Sequence, residues 1–81
     1  MEKFPELNKN EVALPRAQNS TGHVLDENCK LKLNGAQKVY TVFDCLDLAL
    51  KYADSLIKEQ RDLEIVIYGH GQRVIKTITA L

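Results

Sequence analysis

Asp44-Cys45-Leu46-Asp47-Leu48-Ala49-Leu50-Lys51-Tyr52-Ala53-Asp54-Ser55-Leu56-Ile57-Lys58-Glu59 is the stretch that decides the fold. Leu46, Ala49, Leu50, Ala53, Leu56 and Ile57 recur at spacings of three and four, which gathers them into one apolar stripe on a helix. Asp44 stands at the N-cap position, and Asp47 adds a second carboxylate near the positive end of the helix dipole. Phe43 and Leu48 match a hydrophobic staple across that start. Asp47–Lys51 and Asp54–Lys58 are acid-first i,i+4 pairs on the wet side. The pattern breaks at Gln60-Arg61-Asp62. The spacing therefore predicts an amphipathic helix over about residues 45–60, capped by Asp44.

Strand signals flank this helix on both sides. After it, Leu63, Ile65 and Ile67 alternate with Glu64, Val66 and Tyr68, and Gly69-His70-Gly71-Gln72 makes a tight turn. Arg73 to Ile78 runs back. With His70-Gly71 at the tip, Tyr68 is expected opposite Arg73, Ile67 opposite Val74 and Val66 opposite Ile75. Before the helix, Val24-Leu25 forms a short strand closed by Asp26-Glu27-Asn28. Cys29, Leu31 and Leu33 then alternate with Lys30 and Lys32. Asn34-Gly35 is a strong hairpin signal, because both residues tolerate positive φ. The return strand is Lys38 to Phe43, with either Val39/Thr41/Phe43 or Tyr40/Val42 facing inward; the register is open.

The fold class expected is α+β: a small antiparallel sheet of two β-hairpins, packed on one face by a single helix, in the order β-β-α-β-β. Residues 1–22 read as a poorly ordered arm, punctuated by Pro5 and Pro15 and with no apolar period. The alternative is an arm that docks through Phe4, Val12 and Leu14. Residues 23–81 make the single domain.

Composition narrows the function classes. Eleven basic and eleven acidic residues leave a formal charge of zero, which excludes a globally basic nucleic-acid binder. Lys30, Lys32 and Lys38 still gather in an acid-free stretch, so a local basic strip stays open. No apolar run approaches the roughly 18 residues of a spanning helix, and Met1-Glu2-Lys3-Phe4-Pro5 lacks the apolar core of a secretory signal. A cytoplasmic location is the default expectation. Two cysteines, Cys29 and Cys45, make no disulfide framework, and both are expected to be reduced, small apolar residues.

Residues 31–78 resemble a group of small uncharacterised bacterial β-β-α-β-β domains. The likeness is carried by the Asn34-Gly35 turn, the Val42-Phe43 strand end, the helix with Ala49 and Ala53 on its buried side, and the closing run from Val66 to Ile75. The resemblance implies the fold and brings no activity with it.

Catalytic and metal-binding constellations are absent from the pattern. Gly69-His70-Gly71 is a turn and not a phosphate loop, since no strand–loop–helix unit surrounds it. His23, Cys29, Cys45 and His70 have no zinc spacing. Ser20 and Ser55 lack a nucleophile-elbow context. No cofactor is expected, nor enzymatic activity. The lead is the sheet face that a single helix leaves uncovered. Lys30, Lys32, Val66, Tyr68, Arg73 and Ile75 are expected there, with Tyr40 joining them in one of its two registers. Such a face suits a protein partner or a second copy of the chain. Its basic and aromatic members also suit weak binding of single-stranded nucleic acid.

Overall fold

Alternation works as expected in Leu63–Gly69, which forms β5 with Leu63, Ile65, Ile67 and Gly69 all buried. The sheet is assembled around this strand. The computed structural model describes residues 3–33 and 35–80. The protein is α+β; among the described residues there are one α-helix and six strands in a single antiparallel sheet. In chain order the strands are β1 (Val12–Leu14), β2 (Arg16–Gln18), β3 (Val24–Leu25) and β4 (Thr41–Phe43), then α1 (Leu46–Glu59), then β5 and β6 (Arg73–Thr79).

One edge of β5 pairs with β6, and the other with β1 and β2 laid end to end. Ala13 lies opposite Tyr68, Arg16 opposite Ile65 and Gln18 opposite Leu63, one unbroken register through Pro15. Proline brings no N–H to this ladder; the Val66 N–H donates to the Pro15 carbonyl at 3.3 Å. At Pro15 the next strand outward changes. β1 pairs with β4, Leu14 opposite Thr41, whereas β2 pairs with β3, Arg16 opposite Leu25. The sheet therefore forks at Pro15.

Residues 12–18, expected in a loose arm, thus form the strand between β5 and the two outer strands. Val12, Ala13 and Leu14 are all buried. A strand covered on both faces loses the apolar–polar alternation by which strands are recognised, and a proline argues against a central position. Both features hid it.

The expected hairpin over residues 29–43 is replaced by other pairings. Residues 41–43 do form a strand, but its partner is β1. Residues 29–33 contribute an isolated bridge, Leu31 to Leu25. Asp26 is the cause. Its carboxylate accepts from the backbone N–H groups of Asn28 (2.8 Å) and Lys30 (2.9 Å) and from Gln37 Nε2 (2.7 Å). These local bonds compete with a strand, and Cys29 is drawn into the left-handed region at φ 62°. Leu31 and Leu33 consequently end up exposed, Leu33 at 81%. The Asn34 half of the expected turn lies outside the described residues.

The helix stripe packs against β1, β4 and β5, burying Ala49, Ala53 and Ile57 against Val12, Leu14, Leu63, Ile65 and Ile67. Leu46, Leu50 and Leu56 flank this core, half-buried. The N-cap is Cys45 rather than Asp44, and no side chain caps the helix there. That shift of one residue removes the staple, and Leu48 is exposed. Asp47 does lie in the first turn, and Asp54 pairs with Lys58 at 3.0 Å.

The β5–β6 hairpin forms with a different register. Gly69 lies opposite Arg73, Tyr68 opposite Val74, Ile67 opposite Lys76 and Val66 opposite Thr77, with a bulge between Ile67 and Tyr68. A 3-10 turn over His70–Gln72 takes up the extra residues, with Gly71 at φ 77° and Gln72 at φ 60°. A Cβ at Gly69 would sit 2.8 Å from Ile75 Cδ1, the end of an exposed side chain that can turn aside.

Candidate functional site

Because side chains alternate along β5, Glu64, Val66 and Tyr68 point away from the helix. The strand beside them puts Ala13, Pro15 and Ala17 on that same face, and these are small. Low bulk there, together with the fork between β3 and β4, leaves a hollow of about 420 Å³. Its apolar lining comes from Pro15, Ala17, Val24, Val39 and Val66, joined by Tyr40 and Tyr68; its charged residues are Lys32, Glu64 and the buried Arg16.

The N-terminal segment meets the hollow only at its two tyrosines; Phe4, Pro5, Glu6 and Leu7 line a separate cavity beside the His70–Gln72 turn. The Phe4 ring meets Tyr40 edge-on at 5.2 Å between centroids and Tyr68 at 5.5 Å. Such offset and edge contacts between rings are favourable beyond the area they bury. Ala13 and Val39 are buried as well, and neither belongs to the helix-side core. The face opposite the helix therefore carries its own small apolar cluster. The docked arm, weighed above as the alternative, is the arrangement present.

Beneath the fork sits Arg16, only 2% exposed. Its guanidinium donates to the carbonyls of Leu14 (3.1 Å) and Asp26 (3.3 Å), to Thr41 Oγ1, and at long range to Tyr52 Oη (3.5 Å). It also lies 5.8 Å from the centre of the Tyr52 ring. One side chain thus ties β1, β4, the loop after β3 and the helix together where the strands diverge. Its Nε is buried without a partner among the described residues. The nearby Asp26 carboxyl is held below the ordinary carboxylate range, first by the Gln37 hydrogen bond and then by the Lys30 backbone N–H.

Of the residues expected on the open face, Lys32, Tyr40, Val66 and Tyr68 come together around the hollow. Tyr40 and Val39 both line it while Phe43 packs toward the helix, so neither expected inward set holds as a whole: the strand begins only at Thr41, and residues 39 and 40 lie before it. Arg73 and Ile75 lie elsewhere: the hairpin register turns them toward a second hollow beside Asp44, Cys45 and His70 at the helix start. Lys30 is exposed on the Asp26 loop, away from both linings. Phe4, Pro15, Ala17 and Val39 were missed from the site. The one signal for Phe4 was an aromatic residue that the domain's own periodicities left unused.

Among the described residues no three His, Cys, Asp or Glu side chains gather to hold a metal ion, and no helix is long and apolar enough to cross a membrane. Cys45 is exposed and Cys29 half-buried, both as free thiols. No family model, curated protein or solved structure matches this chain.

Proposed function

We propose that the protein is a small non-enzymatic interaction module, and that the sheet face opposite its helix is the surface it uses, toward another protein or a second copy of itself. The observation that carries this reading is the hollow walled by Tyr40, Tyr68, Val66 and Val39, open to solvent on a face with no helix over it. Aromatic side chains lining a concave apolar surface are the usual anchors of protein interfaces. Of the three charged residues in the lining, Arg16 is buried with its guanidinium spent on internal hydrogen bonds. Lys32 and Glu64 then leave no excess of accessible cations, which favours a protein segment over a polyanion, because phosphate binding draws on such an excess. A second reading, weak binding of single-stranded nucleic acid, is supported by Lys32 standing beside Tyr40 and Tyr68.

Affinity capture with the intact chain, repeated at low and high salt, tests the two together. A protein interface is expected to survive both Lys32→Glu and a rise in salt, because rim charges act mainly on association rate. Tyr68→Ala is expected to weaken it by about tenfold or more, the loss typical of an aromatic anchor. Binding that collapses with salt and with Lys32→Glu, and that single-stranded RNA competes away, would replace the first reading with the second.

A further inference from the structure

The arm suggests what kind of side chain this face receives. Phe4 belongs to a segment, residues 3–10, that forms no strand. Among the described residues its hold on the sheet face is through side chains, and its ring spans two tyrosines that also wall the hollow. We propose that the Tyr40–Tyr68 end of the hollow is a receptor for one aromatic side chain on an extended peptide segment, and that Phe4 occupies it as an internal ligand that such a segment displaces. This rests on the reading of the face as a protein-interaction surface and adds the partner's chemistry and a built-in competitor.

Three observations argue for an aromatic occupant. The two tyrosine rings are already spaced to take a third ring edge-on, with interplanar angles of 68° and 85°. Pro5 follows directly, and a proline holds the residue before it extended, so the ring is presented from an extended backbone. The residues that follow the ring, Pro5 to Leu7, border a separate cavity of about 400 Å³ with the His70–Gln72 turn, which leaves room there for residues flanking an aromatic one.

A competitor tethered in the same chain lowers apparent affinity by the fraction of molecules whose site is vacant. The test uses the full-length chain and a synthetic peptide of residues 1–10. In Phe4→Ala the site is vacated, and the peptide is expected to bind with shifts confined to amides around Tyr40, Val66 and Tyr68. The unsubstituted chain should bind it about tenfold or more weakly. The same peptide with alanine at position 4 should not bind either protein. The proposal is overturned by Phe4→Ala failing to bind the peptide while its own Tyr40 and Tyr68 signals have moved, and equally by the same binding in both proteins. If Phe4→Ala leaves the Tyr40 and Tyr68 signals unmoved, the arm does not seat there and this inference fails. Capture of a partner through Tyr68 would be unaffected by that outcome, so the broader reading is tested separately.

Discussion

Arg16→Ala is the substitution whose cost follows most directly from the structure. The guanidinium is buried and serves as donor to the Leu14 and Asp26 carbonyls and the Thr41 hydroxyl. Stranding buried acceptors costs about 1–3 kcal/mol apiece when no water reaches them. Removing the aliphatic stem adds a cavity cost of the kind that makes large-to-alanine core changes worth about 2–5 kcal/mol. Against these stands the relief of no longer burying a charge with no carboxylate in contact, which is worth several kcal/mol. The net loss expected is about 3 kcal/mol. At a urea slope of about 1–2 kcal/mol/M, that lowers the midpoint by about 1.5–3 M. Arg16→Met keeps the stem and should lose less. Equilibrium urea unfolding followed by circular dichroism reads both. A change under about 0.5 kcal/mol for Arg16→Ala is what a surface residue gives, and it would refute the placement of Arg16 under the fork.

Two further predictions concern the helix and the loop. Asp44→Ala should leave the stability read by urea unfolding within about 0.5 kcal/mol, because the helix is not capped by Asp44, whereas Ile57→Ala, on the buried stripe, should cost about 2–5 kcal/mol; the reverse order would restore Asp44 as the cap. Asp26 has a folded-state pKa below its unfolded value, so its contribution is fully present above about pH 4 and is lost as pH falls through the folded value. Urea midpoints at pH 7 and pH 3 should therefore fall more in the unsubstituted chain than in Asp26→Asn, and parallel losses would show that the loop does not depend on the ionised carboxylate.

What was legible in the sequence follows a physical line. The helix stripe and β5 each bury one face against one neighbour, so their periodicities survive in the sequence, as Ala49, Ala53 and Ile57 and as Leu63, Ile65 and Ile67 show. Val12 to Leu14 is buried on both faces and is followed by Pro15, so it leaves no such trace. Cys29 to Leu33 does the opposite: it alternates well, yet the Asp26 carboxylate holds the chain in a turn. The hairpin register was misjudged because the turn holds three residues rather than two, which already shifts Arg73 and Val74 by one, and a bulge shifts the pairs beyond by one more. The site was half readable for the same reasons. Val66 and Tyr68 came from a strand with a correct alternation, Arg73 and Ile75 were moved by the three-residue turn, and the floor of the hollow came from a strand that went unrecognised.

Amide hydrogen exchange across residues 12–18 tests most directly whether this segment is the strand that builds the hollow. Paired between β5 and the outer strands, Ala13, Leu14, Arg16 and Ala17 should exchange as slowly as Ile65 and Ile67, near the limit set by global unfolding. Exchange of these four amides at the rate of an unpaired chain, while Ile65 and Ile67 stay protected, would mean that the segment is a loose arm, and that the floor of the hollow and the seat of Phe4 do not exist.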